Sequence, residues 1–156
     1  KPSLVPISAV QVQPGWQGRL ADAIRGRYPG ARYFRTRGAE LLERIGAAQG
    51  ESLVEVNLAL IEIIRDLLQI TTPVRQTDPP THSGVERLIE QVQMVGGTVY
   101  LSGTGGTAYM GEDAPARFAE AGIDLRWSQH AMSTGDSIVS VLMDAEDPMA
   151  VVLAQH

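Results

Sequence analysis

The sequence predicts an α/β fold in which a mainly parallel sheet is flanked by helices, in a Rossmann-like three-layer architecture. Two observations predict it. Short β-branched segments alternate along the chain with segments of helical periodicity, and glycine or proline separates most of them. With 156 residues, of which 44% are apolar and 20% charged, the chain suits one globular domain with a single core. We therefore expect a single domain over residues 1–156.

The first half of the chain is predicted to contain one strand and three helices. Ala9–Gln13 alternates apolar and polar side chains, which favours a strand, and Pro14-Gly15 ends it. Gly50 interrupts the helical periodicity, and Ser52 is a suitable N-cap for the long helix that follows. The predicted helices each carry apolar side chains at helical spacing and cover Trp16–Tyr28, Thr36–Ala48 and residues 53–68.

The second half is predicted to alternate strands with helices. Thr71–Gln76 is expected to form a short strand entered through Pro73, and residues 98–101 and 123–127 are expected to form two more. Gly122 suits the position just after a helix, where a left-handed backbone is common. The predicted helices cover Val85–Val95, Ala114–Ala121, Ser137–Met143 and Asp147–Leu153.

The segment Gly96–Tyr109, GGTVYLSGTGGTAY, ends a predicted strand in a glycine-rich loop. In open α/β sheets ligands bind beyond the carboxyl ends of strands, so Gly103, Gly105 and Gly106 are expected to approach a ligand closely or to cradle an anion. A plain turn is the alternative. A dinucleotide fingerprint is not indicated, because Tyr109–Glu112 separates the glycines from the next predicted helix.

Composition excludes several classes of function. The formal net charge of −5 argues against general binding of nucleic acid, and the absence of cysteine excludes disulfides and a thiol nucleophile. No signal peptide or membrane-spanning stretch is recognisable, so we expect a cytoplasmic protein. The histidine and carboxylate residues do not have the spacing of metal ligands, and the sequence implies no metal and no cofactor.

Two candidate catalytic residues follow predicted strands. His130 comes shortly after the strand that ends at Trp127, where it can act as a general base; the alternative is an exposed loop histidine. Ser102 directly follows a predicted strand and precedes Gly103, a position at which the serine hydroxyl is expected to be exposed. We interpret Ser102 first as a hydrogen-bond donor to substrate and second as a nucleophile.

Candidate substrate-binding residues lie in the loops and in the first turn of a helix. Arg87 begins the helix after the proline-rich loop and suits bidentate pairing with a carboxylate or phosphate. Tyr109 can reach over the glycine loop, although packing on the sheet explains it equally well. The complete predicted set is His82, Ser83, Arg87, Gly103, Gly105, Gly106 and Tyr109.

Six segments, taken in order, resemble a known family. They read SLVEVNLALIEIIRDLLQI, TTPVRQTD, SGVERLIEQVQMVG, GTVYLSGTGGTAYM, FAEAGIDLRW and SIVSVLM. Their order and spacing are similar to those of the WbqC-like family, whose members are found in gene clusters for O-antigen, capsular polysaccharide and some secondary metabolites. The resemblance covers roughly residues 10–145. It implies an enzyme that transfers an acyl or aminoacyl group to a sugar or small-molecule acceptor.

Two departures from the family pattern have consequences. Members usually open with a strand and loop similar to QPYFFPYIGYF well before the equivalent of Ala9, so the resemblance implies that this chain is the C-terminal part of a longer one. We expect the missing segment or a second chain to complete the fold. Members also usually carry an Asp where this chain has Ser140; either this acid is dispensable, or Asp136 replaces it as a catalytic acid.

Two classes of function are compatible with the sequence. The first is an enzyme with a small-molecule or nucleotide-sugar substrate, served by an acyl or peptidyl carrier protein. The second is a non-catalytic module that holds a carrier protein or a pathway enzyme. The second class is supported by the lack of a recognisable catalytic triad, metal site or carboxylate pair in the sequence. Neither nucleic acid nor a membrane is an expected partner.

Overall fold

A computed structural model describes residues 5–128 and 137–153. Their helices and strands, in chain order, are α1 (Trp16–Arg27), α2 (Ala39–Ala47), α3 (Leu53–Leu67), α4 (Gly84–Met94), β1 (Val99–Gly103), α5 (Thr107–Met110), α6 (Ala114–Glu120), β2 (Asp124–Ser128), α7 (Ile138–Asp144) and α8 (Pro148–Leu153). The described residues group into two compact units. The first is drawn from Lys1–Thr72 and Thr134–Ala154, and the second from Pro73–Ser133.

The first unit is helical and packs around a small apolar core. A π-helical turn, Phe34–Gly38, leads into α2 and lies against α7. A Cβ on Gly38 would lie 3.0 Å from Met143 Sδ, so only glycine allows this approach without a shift of the methionine. The buried members of the core are Ile24, Leu41, Ile45 and Met143.

Ser52 is the N-cap of α3, as the sequence predicts, and it forms a capping box with Glu55. The Ser52 hydroxyl accepts the backbone N–H of Glu55 at 3.2 Å, and the Glu55 carboxylate accepts the backbone N–H of Ser52 at 3.0 Å. Glu55 also accepts the N–H of Glu51. The Ser52 N–H is the main reason why the pKa of Glu55 lies below its usual range.

The strand predicted at Ala9–Gln13 is wrong. Residues 7–9 form a 3-10 turn, and Gln11 makes an isolated antiparallel bridge with Ser52. Two backbone hydrogen bonds flank this bridge, from Val12 to Glu51 and from Leu53 to Val10. The pairing stops there because the partner segment enters α3 at Leu53. From that point its backbone N–H and C=O groups bond within the helix and cannot pair with a longer strand.

The second unit contains a parallel sheet of two strands. β1 pairs with β2 in a register that aligns Tyr100 with Leu125 and Ser102 with Trp127. Helices α4, α5 and α6 pack into one apolar core against one face of the sheet, which is the face that carries Tyr100 and Leu125. The predicted strands at 98–101 and 123–127 are therefore confirmed, as are the helices between and before them.

The opposite face of this sheet is bare. Val99 is 43% exposed and Leu101 61% exposed, while on the neighbouring strand Arg126 pairs with Asp124 at 2.7 Å. Parallel sheets are usually covered on both faces. Within the described residues this unit has two layers, so the fold is α/β as predicted, and the Rossmann-like three-layer arrangement is not confirmed.

The strand predicted at Thr71–Gln76 is also wrong. This segment has irregular backbone, and its continuation runs back along α4, where Gln91 Nε2 lies 3.5 Å from Thr77 Oγ1. Pro73, Pro79 and Pro80 have no N–H to donate, which removes ladder hydrogen bonds from this part of the chain.

Across the described ranges, no helix combines the length and apolar character needed to cross a bilayer.

Loss of the capping box should weaken α3. We expect Ser52→Ala to lower the free energy of unfolding by about 1 kcal/mol, because the N–H of Glu55 loses its acceptor. Urea denaturation followed by far-UV circular dichroism measures the change. Ser52→Asp keeps an acceptor at the cap and should retain most of the stability. Equal losses in the two variants would contradict a capping role.

Candidate functional site

The glycine-rich segment after β1 is helical and not an open loop. Thr104–Gly106 forms a 3-10 turn that passes directly into α5. The expectation that Tyr109–Glu112 separates the glycines from a helix is therefore wrong. Gly103 and Gly105 are exposed, and a Cβ on either would meet nothing within 4 Å. Gly103 ends β1 with extended backbone, Gly105 lies in the 3-10 turn, and neither has a positive φ.

Gly106 is different, because it is buried against the end of the strand. A Cβ there would lie 2.2 Å from Ser102 Oγ, 2.9 Å from Met110 Cε and 3.3 Å from Trp127. Ser102 is itself only 4% exposed and donates its hydroxyl hydrogen to the carbonyl of Gly103 at 3.1 Å. The prediction that this hydroxyl is exposed is therefore wrong, since the helical turn covers it.

Tyr109 lies over the sheet and is 62% exposed. Its hydroxyl is hydrogen-bonded with that of Tyr100, whose ring stacks on Phe118 with centroids 5.3 Å apart. Burial raises the pKa of the Tyr100 hydroxyl, and the Tyr109 hydroxyl raises it further. The Tyr100 hydroxyl therefore stays protonated at neutral pH.

A histidine and a carboxylate meet beside α4. His82 Nδ1 lies 3.0 Å from Glu90 Oε2 and 3.0 Å from Thr81 Oγ1. Glu90 also accepts the backbone N–H of Thr81 at 2.9 Å and that of His82 at 3.1 Å. The Thr81 hydroxyl donates to the other carboxylate oxygen at 2.9 Å. Glu90 thus holds the loop and orients the imidazole at the same time.

The charge state of Glu90 follows from these contacts. The backbone N–H of Thr81 is the largest cause that lowers the pKa of Glu90 from 4.5 to about 2. Partial burial opposes this shift, and the side chain and N–H of His82 add to it. Glu90 is therefore ionised at neutral pH, although its side chain is only 18% exposed.

The ionised carboxylate decides the tautomer of His82. A carboxylate can only accept, so Nδ1 carries the proton that points to Glu90. The His82 side chain is 61% exposed. An imidazole that is held in this way at Nδ1 has, in its neutral form, a basic Nε2, which is the arrangement required of a general base. The sequence predicts only a substrate-binding role for His82, and it gives no signal for Glu90, whose position is typical of a solvated helix residue.

The other predicted site residues are distributed as follows. Ser83 is the exposed N-cap of α4, and Arg87 is exposed at the end of its first turn, two residues beyond Val85. His130 and Asp136 lie outside the described residues. Ser140, at the position where the family usually has an acid, lies 2.8 Å from the Tyr28 hydroxyl, so its hydroxyl ties α7 to the end of α1.

The comparisons with known proteins bear on this arrangement. A family model described as the WbqC-like protein family matches residues 2–134. The chain belongs to the WbqC-like protein family. No curated protein and no solved structure matches it. In this WbqC-like chain the matched range contains the glycine turn, the tyrosine pair and the His82–Glu90 pair. Among the described residues, no group of His, Asp and Glu side chains is arranged to hold a metal ion.

A matched pair of glycine variants tests the packing of the turn. We expect Gly106→Ala to destabilise the fold by roughly 1–3 kcal/mol through overpacking, and Gly105→Ala to have little effect. Thermal unfolding measures both. Adding Ser102→Ala to Gly106→Ala should recover part of the loss, because the nearest clashing atom is removed. If the two single variants are equally stable, the buried contact of Gly106 does not exist as described.

The lowered pKa of Glu90 predicts a pH dependence of stability. A carboxyl group whose folded pKa lies near 2, against 4.5 ordinarily, stabilises the fold above about pH 4.5. This contribution should disappear as the pH falls from 4.5 toward 2. Melting temperatures of the parent and of Glu90→Gln should therefore differ at pH 6 and converge near pH 2. A constant difference over this range would show that Glu90 does not form the contacts described.

Proposed function

We propose that this WbqC-like chain is an enzyme of polysaccharide or secondary-metabolite biosynthesis that transfers an acyl or aminoacyl group to a sugar or small-molecule acceptor. One observation carries the proposal. The His82 ring is held at Nδ1 by the ionised carboxylate of Glu90, while most of its surface faces solvent. Family membership supports the biosynthetic context.

The chemistry assigned to His82 is proton transfer. As the acceptor oxygen or nitrogen attacks the acyl carbonyl carbon, its proton passes to His82 Nε2. The tetrahedral intermediate then collapses, the bond to the leaving group breaks, and the same proton is returned to that group. The Glu90 carboxylate stabilises the imidazolium that forms between the two steps and keeps the ring in place.

Neighbouring groups supply binding. Ser83 follows His82 directly, and Arg87 lies at the end of the first turn of α4, where a guanidinium is suited to a carboxylate or phosphate. Helix α4 packs on α5, which carries Tyr109. We propose that His82, Ser83, Arg87 and Tyr109 face one substrate at this end of the unit, and that His130 and Asp136 belong to the same site.

The setting of the enzyme is part of the proposal. We propose that it acts in the cytoplasm on a small-molecule or nucleotide-sugar substrate, with an acyl or peptidyl carrier protein as donor. The bare apolar row of Val99 and Leu101 supports the further proposal that another segment or a second chain covers the sheet. Such a cover would complete a three-layer arrangement.

The role of His82 is tested by acyl transfer from acyl-coenzyme A and aminoacyl-pantetheine thioesters to a panel of sugars, followed by mass spectrometry. We expect His82→Ala to lower the rate by about 10²–10⁴-fold without loss of stability, because the general base is lost. Glu90→Gln should lower it less and should shift the pH profile of the rate. Glu120→Gln, which changes an exposed carboxylate at the end of α6, is the matched control.

Two outcomes would overturn the proposal. If His82→Ala transfers acyl groups at the parent rate, His82 is not the base. If no thioester is discharged by the parent while the chain captures a carrier protein in solution, the non-catalytic module is the correct alternative.

A further inference from the structure

We infer that a polar cavity, formed by the same loop and helix that carry the His82–Glu90 pair, binds a phosphorylated sugar, either free or linked to a nucleotide. The inference rests on the proposed function, because it names the substrate class of the proposed transfer. The cavity has a volume of about 500 Å³. Its lining residues are Arg75, Gln76, Thr77, Asp78, Met94 and Val95.

The cavity and the histidine are formed by the same two pieces of chain. Thr81 and His82 are bound to Glu90, and Thr77 lies 3.5 Å from the amide of the next residue, Gln91. The loop from 75 to 82 therefore runs along α4. The cavity opens between the start of this loop and the end of the helix, and the His82–Glu90 pair lies at the other end of the loop.

The charges in the lining indicate the ligand class. Arg75 offers a planar guanidinium, which matches two oxygens of a phosphate. Asp78, three residues further, offers a carboxylate that accepts hydrogen bonds from hydroxyl groups, as carboxylates do with ribose and sugar diols. A ligand that carries both a phosphate and neighbouring hydroxyl groups satisfies both residues. Phosphorylated sugars have this combination.

The remaining lining agrees with this assignment. Gln76 and Thr77 add neutral polar groups, while Met94 and Val95, 43% and 49% exposed, provide an apolar patch for the face of a sugar ring or base. The volume of about 500 Å³ lies within the range of roughly 300–1,000 Å³ that encloses a ligand of drug-like size. A single acetyl or glycyl group would leave most of it empty, so the cavity suits the larger acceptor.

Calorimetric titration of the full chain tests the inference with three kinds of probe. The first is glucose 1-phosphate, the second a set of UDP-linked sugars (glucose, galactose and N-acetylglucosamine), and the third UMP. We expect saturable binding of the first or second kind, and the stronger of the two identifies the source of the sugar. Arg75→Ala should weaken that binding by about tenfold or more, because a charged hydrogen-bond partner is lost. Asp78→Asn should also weaken binding of the sugar-bearing probes, because the carboxylate that accepts hydrogen bonds from their hydroxyl groups is lost.

The controls separate this inference from the proposed function. Arg27→Ala changes an exposed arginine of α1 and should bind like the parent. Absence of saturable heat with every sugar probe overturns the inference, as does equal binding by Arg75→Ala. If acyl transfer still depends on His82 in that case, the proposed function stands and only the substrate assignment fails.

Discussion

The carboxylate of Glu90 is the contact on which the candidate site depends. It accepts two backbone N–H groups, a hydroxyl and an imidazole N–H from Thr81 and His82. The chain before α4 contains Pro79 and Pro80 and makes no strand ladder within the described ranges, so little else in its backbone can hold it against the helix. The same contact that fixes this loop also orients the histidine. Local folding and the proposed chemistry are therefore coupled at Glu90.

The turn after β1 has a different role from the one that its composition suggests. Gly106 is required because Ser102, Met110 and Trp127 leave no space for a Cβ. The turn therefore closes the core at the carboxyl end of the sheet. The exposed positions Gly103 and Gly105 are the ones at which a ligand could approach the backbone.

The two-stranded sheet is asymmetric across its outer face. Val99 and Leu101 place an apolar row on β1, while Asp124 and Arg126 form an ion pair on β2. Charged side chains are common on strands that remain at an edge, whereas an apolar row is typical of a covered strand. This asymmetry gives β1 the character of an inner strand.

The sequence by itself determined most of the helices, the two paired strands and the family. Helical periodicity, the Ser52 cap and the β-branched runs before Gly103 and after Gly122 depend on neighbours within a few residues, so these features were readable in order. The tertiary structure alone decided the site. The Glu90 carboxylate meets His82 only because a proline-containing loop folds back on α4, and Ser102 is buried only because the following turn closes over it. These contacts join groups whose positions depend on how the chain folds back, and no periodicity or spacing in a single sequence encodes that geometry.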